Sequence, residues 1–598
     1  MPQTIQLNEA QQAMLDGKQG TAKQMGMRLV LDMAAAAGAT KLIPIQSAHL
    51  SGVSPLTGGL GLRQFLAKLS SDTQAKTAVP TTLNAAGCDE AQFDDMKIVA
   101  PNFLEHNHEI VRLYTKLGVR PTQSCTPYEW DGVVTEGVAA WAESNAICFG
   151  NSYCGLTTNR ESGLSALACA LTGYTPQYGL LVEGACQANL IVKVSAEMAD
   201  PTDFSILGDW IGMQRKPSWK TPLGPIPIIT GLPTDLDHEQ RKALTAAAAN
   251  YGCPLLYIDG EGDIPAGDIQ DELAFTPAEL QKRYDELKPE VPVSLITIGC
   301  PQASVGELRA TAVLLKGKTM PADAPPLWVF TSSHNKAIAE KTGIADIIRD
   351  SGALLLENSC PEVVPYDQSW VHHILTNSMK AEHYIKSGLN GIPTSVMKLA
   401  DCVRVAEGAL KIEDLRLAID DEAPTNHSEA KKTRKPIKNT ETRQTGAFAA
   451  TGQGLPSQKD FMVQGQAFVT DTPITLLGFV NRETGVIEEA GHPMNGQSMA
   501  GKIAIFPKGS GSTVAPYVLL ELFYRGQAPL AIVNTDIDQQ SAPACSLEGI
   551  PYAYHFDGDV IGGINNGDYV ELMRVGEQVK IRVLERVTEG VVNINGSR

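Results

Sequence analysis

The chain has 598 residues, 43% of them hydrophobic, and a formal net charge of −18. That length exceeds what one hydrophobic core normally serves, so more than one domain is expected, with ordinary globular apolar content. The acidic balance argues against a nucleic-acid or anionic membrane surface, both of which need clustered lysine and arginine.

The opening residues are polar and no apolar run approaches the length of a bilayer span, so a cytoplasmic protein with reduced thiols is expected. Eleven cysteines without a Cys-x-x-Cys pair are then free thiols, or metal ligands gathered from distant segments.

In chain order, LNEAQQAMLDGKQGTAKQMGMRLVLDMAAAAG is helical, with a break near Gly17 and Gly20. KLIPIQ reads as a strand leading into SAHLSGVSPLTGGLG, which puts His49 just past a strand end in a glycine-bearing loop. A short strand at KTAVP precedes TTLNAAGCD. Polar loops after apolar strands are where α/β proteins place ligand contacts. A turn-capping histidine is an equal reading of His49.

A helix over 101–119 leads into the densest polar stretch, Cys125 to Gly163. Glu143, Ser144, Asn145, Asn151, Ser152, Thr158, Asn159, Arg160 and Glu161 fall here, interrupted by Gly150 and Gly155. Small residues beside groups that orient or coordinate suggest backbone brought close to an oxygen-rich ligand. A buried polar network that only holds loops together is the competing reading. LLVEG, NLIVKV, PIPIITG and PLLYIDG read as further strands. From SLITIGCPQ to ALLLENSCP the order is strand, helix, strand, helix, strand, a parallel-sheet signature, with Ser304 and Glu307 at capping-box spacing.

Residues 421–450 lose apolar periodicity and mix Pro, Thr, Asn and charge, as an exposed linker does. Residues 451–598 restart as a β-rich domain that includes a helix through VAPYVLLELFYRG. GQSMAGK at 496–502 has P-loop spacing, but Ile503 replaces the required Ser or Thr and a strand follows instead of a helix, so nucleotide binding is rejected.

Proline follows cysteine at Cys253, Cys300 and Cys360 and extends the backbone before it. Cys300 and Cys360 each come straight after an apolar strand, and two thiols at carboxyl ends of one parallel sheet can share a crevice. Cys125, in its polar loop, is the natural third member, and three thiolates would suit an iron site with one open position. Unreactive buried thiols are the alternative. Cys253 precedes its strand and reads as a core thiol. In PKGSGSTVAPYVLLEL a glycine-serine turn enters a helix, so Ser512 is either an N-cap or a serine whose alkoxide is supported by helix-start amides.

These segments together resemble the aconitase X family. In the large part the likeness rests on SAHLSGVS, VPTTLNAAGCD, CTPYEW, WAESNAICFGNS with GLTTNRESG, IGCPQASVGEL, ENSCP and LTNSMKAEHY. In the small part it rests on LLGFVNRETGVIEEAGHPMNGQSMAGK and GSGSTVAPYVLLE. There are two departures from what members often carry: Cys-Pro-His where this chain has Cys300-Pro301-Gln302, and Asp-Thr-Cys where it has Asn358-Ser359-Cys360.

The resemblance implies an aconitase-like α/β catalytic part with parallel sheets (1–420), a linker (421–450) and a β-rich swivelling domain (451–598). It implies an iron-dependent hydro-lyase. Cys125, Cys300 and Cys360 are the implied ligands of an iron–sulfur cluster, 2Fe-2S first, with 4Fe-4S or mononuclear iron as alternatives. Ser512 is the implied base; Ser47, His49, Thr82, Asn84, Asn145 and Arg160 are the implied substrate contacts. The fused layout resembles cis-3-hydroxy-L-proline dehydratases, which form Δ1-pyrroline-2-carboxylate; mevalonate 5-phosphate dehydratase is the alternative. An iron-sensing RNA-binding protein is the reading of another class, and the acidic balance opposes it.

Limited proteolysis is expected to cut first within 421–450 and leave two folded pieces, since a stretch without apolar periodicity cannot bury itself. Resistance of that segment on a gel time course would contradict the linker.

Overall fold

A computed structural model describes residues 5–214, 216, 223–412, 447–510, 514–538 and 540–587. The chain divides into two compact units, Met1–Ala423 and Pro424–Arg598. Most of the expected linker lies outside the described residues. Ala449 and Ala450, placed at its end, instead open the strand Ala449–Gly454.

The first unit holds three parallel sheets. One runs Thr81–Leu83, Ser47–Leu50, Gly137–Trp141, Leu156–Thr157. A second runs Ala266–Phe275, Ala188–Val194, Pro227–Thr230, Tyr257–Ile258. The third runs Leu354–Glu357, Leu327–Thr331, Leu295–Ala303, Ile374–Thr376, Thr394–Val396. The central strand of the third sheet, LITIGCPQA, is buried at every position, as a parallel strand covered on both faces must be. Its core is Ile296, Ile298, Val329, Leu355 and Leu375 under helices contributing Leu308, Leu315 and Ile348. The helix Val305–Leu315 starts with the expected capping box, Ser304 and Glu307 each bonding the other's backbone.

Several local readings change. SAHL is itself a strand, so His49 sits within it and not in a loop. The preceding Leu42–Pro44 pairs antiparallel with Tyr174–Pro176, leaving the parallel place between Thr81–Leu83 and Gly137–Trp141 to SAHL. The strand expected at KTAVP begins after Pro80, at Thr81. LLVEG is a 3-10 turn, Gly179–Leu181, running into a further turn. The run Ala266–Phe275 is an edge strand missed in the sequence, because residues 267–272, GDIQDE, are mostly polar and exposed or half-buried, and of 267–275 only Phe275 is fully buried.

The second unit is a closed barrel ordered Ala449–Gly454, Tyr552–Tyr554, Ala531–Val533, Ile503–Ile505, Phe461–Val469, Tyr569–Val575, Gln578–Glu585. Ile503, Ile505, Val533, Val570, Leu572, Val579 and Ile581 fill it, and closure leaves no open edge. TLLGFVN is not one strand but a two-residue strand, Ile474–Thr475, followed by a kinked turn. The helix expected through VAPYVLLELFYRG runs Pro516–Tyr524, with Ala515 at its cap. Ser512 itself lies outside the described residues.

Candidate active site

The site residues of the first unit sit at the carboxyl ends of parallel strands from two sheets, where such sheets present loops to ligands. Asn84 follows Thr81–Leu83 and Glu143 follows Gly137–Trp141, while His49 lies near the end of Ser47–Leu50. From the other sheet, Cys300 is in the last part of Leu295–Ala303, Cys360 follows Leu354–Glu357, and Lys380 follows Ile374–Thr376. A bridge between Ala86 and Ser359 joins the two sets of loops. Cys125 is carried alongside the first sheet: Arg120 pairs with Thr82, and the Ser124 amide donates to the Leu83 carbonyl.

Lys380 organises this place. Its side chain is buried on the helix Met379–Tyr384, which Ser378 caps. Its ammonium lies 2.7 Å from Glu143 Oε1, 2.7 Å from Asn145 Oδ1 and 3.5 Å from Glu362 Oε1. Burial alone would lower the lysine pKa, yet the two carboxylates outweigh it and hold the ammonium charged. The carboxylates separate. Burial would raise Glu143, but Lys380 pulls it below the usual carboxylate range; for Glu362 burial prevails and its pKa rises.

The other polar groups extend from this pair. Asn84 Nδ2 donates to Glu143 Oε2 at 2.7 Å, and Asn145 Nδ2 donates to the Cys125 carbonyl at 2.8 Å. The Cys300 thiol donates to Glu362 Oε1 at 2.9 Å and has Cys360 as a thiol neighbour. Cys125 feels Cys360 as well, and burial raises both Cys125 and Cys300 far above the ordinary thiol value. Gln302 ties the three cysteine segments together. Its amide donates to Cys125 Sγ, its Oε1 accepts from the Cys125 amide, and its Nε2 donates to the carbonyls of Ser359 and Gln123.

His49 Nδ1 meets Thr82 Oγ1 at 2.8 Å. Burial pulls the imidazole pKa down to about 4, so the ring is neutral at physiological pH. Its Nε2 and Asn84 Oδ1 are both buried without a full hydrogen bond, which leaves capacity for a ligand.

His49, Thr82, Asn84 and Asn145 are therefore gathered with the three cysteines, whereas Ser47 and Arg160 make their contacts elsewhere. The Ser47 hydroxyl donates to the Val134 carbonyl and accepts from the Trp141 indole. Arg160 reaches the Ala249 carbonyl at 3.5 Å. Part of the dense polar stretch is scaffold: Asn151 bonds Thr158 and Pro254, Asn159 bonds Tyr178 and Leu180, and Ser162 caps Gly163–Thr172. Cys253 is the expected core thiol, packed with Cys148 and Leu256. Lys380 and Glu362 were missed; their signal was a lone lysine just past a capping serine and a glutamate directly after the Cys360-Pro361 pair. Among the described residues, no group of three or more His, Cys, Asp or Glu side chains forms a ready metal cage.

The depressed His49 pKa fixes the sign of a pH effect. Above pH ~6.5 the ring is neutral in both states and its contribution is complete; as pH falls from there towards 4 the unfolded chain takes the proton first and stability is lost. His49→Gln should flatten the melting-versus-pH curve in that window by up to about 3 kcal/mol. Thermal melts from pH 4 to 7 check this, and an unchanged slope would contradict a buried neutral His49.

Family models match in three places: aconitase X first domain at 4–184, third domain at 293–408 and swivel domain at 457–581. The chain is 32% identical to a phosphomevalonate dehydratase large subunit of Thermococcus kodakarensis, over 64% of this chain and 95% of that one. It is 31% identical to a cis-3-hydroxy-L-proline dehydratase of Pseudomonas aeruginosa, over 67% of this chain and 70% of that one. A phosphomevalonate dehydratase small subunit of Methanosarcina acetivorans is 35% identical over 19% of this chain and 83% of its own. The crystal structure of holo-form Thermococcus kodakaraensis aconitase X superposes with a TM-score of 0.60 at 31% identity, over 67% of this chain and all of that one. With matches at both ends and dehydratases as its relatives, the chain belongs to the aconitase X family and is a hydro-lyase.

Proposed function

We propose that the chain dehydrates cis-3-hydroxy-L-proline, with iron held by Cys125, Cys300 and Cys360 and with Ser512 as the base. The observation that carries the substrate choice is chain layout. The stretch shared with the Pseudomonas aeruginosa enzyme is nearly the same share of both chains, so both are long. The phosphomevalonate dehydratase large subunit is almost fully covered by 64% of this chain, so it is a shorter chain with a separate small subunit in that enzyme class. Charge supports the same choice. The lysine at the site, Lys380, is already committed to two carboxylates, which leaves little for a phosphate dianion.

The donor set fits an iron–sulfur group. Cys125, Cys300 and Cys360 are buried free thiols from three segments, and burial keeps Cys125 and Cys300 protonated until a cation replaces their protons. We favour a 2Fe-2S cluster. When bound, iron there supplies Lewis acidity towards the departing hydroxyl oxygen. The chain's own groups do the rest. Asn84, Asn145, Thr82 and His49 hold the ring and carboxylate, and burial of Asn145, Thr82 and His49 keeps bulk water away. Ser512 takes the proton from C2 as the C3–OH bond breaks. One water leaves, and the enamine so formed tautomerises to Δ1-pyrroline-2-carboxylate.

Iron-reconstituted enzyme should consume cis-3-hydroxy-L-proline and leave mevalonate 5-phosphate untouched; the reverse overturns the substrate. Ser512→Ala should lower kcat by about a hundredfold or more with iron content unchanged, the scale of losing a positioned proton-transfer group. Cys360→Ser should lose iron-linked visible absorbance and turnover together, whereas Cys253→Ser should keep both. Full iron and turnover in Cys360→Ser would remove that residue from the ligand set.

A further inference from the structure

A second buried lysine lies behind the cysteines. Lys242, on the helix His238–Ala248, has 1% of its surface exposed. It sits between the stretches matched as first and third domains. Its ammonium donates to the Gln302 carbonyl at 2.8 Å and to Glu307 Oε2, and lies 3.8 Å from Glu129 Oε1. A buried ammonium keeps its place only where several oxygens replace its lost hydration, and each of these oxygens belongs to a segment that carries a cysteine or caps one.

Gln302 stands two residues after Cys300, and its amide and side chain clasp Cys125 and the Ser359 carbonyl beside Cys360. Glu129 closes the Cys125 loop. It accepts from Thr126 Oγ1 at 3.0 Å and from Asn335 Nδ2 at 2.8 Å, and pairs with His238 at 2.8 Å. Glu307 is the capping residue of the helix that follows Cys300. One ammonium thus reaches the Cys300–Gln302 run directly and the Cys125 loop through Glu129.

We propose that Lys242 is a positioning residue of the three-cysteine site, clamping the Cys300–Gln302 run and the Cys125 loop in mutual register through Gln302 and Glu129. It touches neither substrate nor sulfur. The role rests on the reading of these cysteines as one metal site, but the clamp itself is a property of the apoprotein and can be read there.

The test is competitive alkylation of the iron-free full chain with iodoacetamide, followed by mass spectrometry of the Cys125 and Cys253 peptides. Cys253 is a buried thiol of the same unit that makes no bond to the Lys242 side chain, while its amide donates to Ala248 at the end of the same helix, so loosening of that helix or of the unit raises both rates together. In Lys242→Met the Cys125 rate should rise about tenfold or more relative to Cys253, as local opening replaces unit-wide unfolding. After anaerobic reconstitution the same variant should hold less than about half the iron of the unaltered chain and show a shifted visible spectrum. Because that variant strands two buried carboxylates, Lys242→Met with Glu307→Gln is measured beside it, and either folded protein decides. An unchanged Cys125-to-Cys253 ratio, or a parallel rise of both, makes Lys242 a general structural lysine and overturns the clamp. If instead the unaltered chain binds no iron, the metal-site reading fails while the alkylation ratio still reports on the clamp.

Discussion

The buried ammonium of Lys380 is the constraint on which the site depends. A lysine this deep is unfavourable unless oxygens replace its water, and here Glu143, Glu362 and the Asn145 side-chain carbonyl do so. Glu143 and Asn145 lie together after a strand of one sheet and Glu362 follows a strand of another, so satisfying one charge forces two sheets to bring their loop ends together. Removing it would leave two carboxylates facing each other in an apolar setting. The same charge also divides the two acids, holding Glu143 ionised while burial lifts Glu362. Unlike neighbours of this kind are how one enclosed pocket can hold a proton donor beside an acceptor.

Much of the architecture could be read from the sequence because it follows from periodicity. Alternating apolar strands and helices from SLITIGCPQ to ALLLENSCP announced a parallel sheet, and glycine turns between short strands announced a β-rich domain, which proves to be a closed barrel. The places of Cys300 and Cys360 at the ends of parallel strands were legible too, since a Cys-Pro after an apolar strand fixes both place and backbone shape. Pairing was not. Nothing in KLIPIQSAHL tells that LIP turns antiparallel while SAHL enters another sheet, because both are short and apolar and the choice is made by distant partners.

The polar residues show the same division. Asn145 and Arg160 look alike in the sequence, two hydrogen-bonding groups in one glycine-broken run. Asn145 opens the helix Ser144–Tyr153 and so faces the cysteines, whereas Arg160 lies beyond a strand and reaches the Ala249 carbonyl. Lys242 gave no local signal and Lys380 only the capping serine before it, since a lysine on a helix is ordinarily solvated. Only the long-range placement of glutamates from other elements makes them interior groups.

Gln302 follows directly on the Cys300-Pro301 pair, and its bonds show what its side chain is needed for. The primary amide works on three fronts at once, accepting from the Cys125 amide and donating to two carbonyls. A neutral imidazole has a single donor and a single acceptor, set on opposite sides of a rigid ring. A chain with histidine here must leave one of those carbonyls to another donor, so the loops around it cannot follow the same path. Gln302 is thus written into the loop geometry around the cysteines, and histidine is not a drop-in replacement for it in this frame.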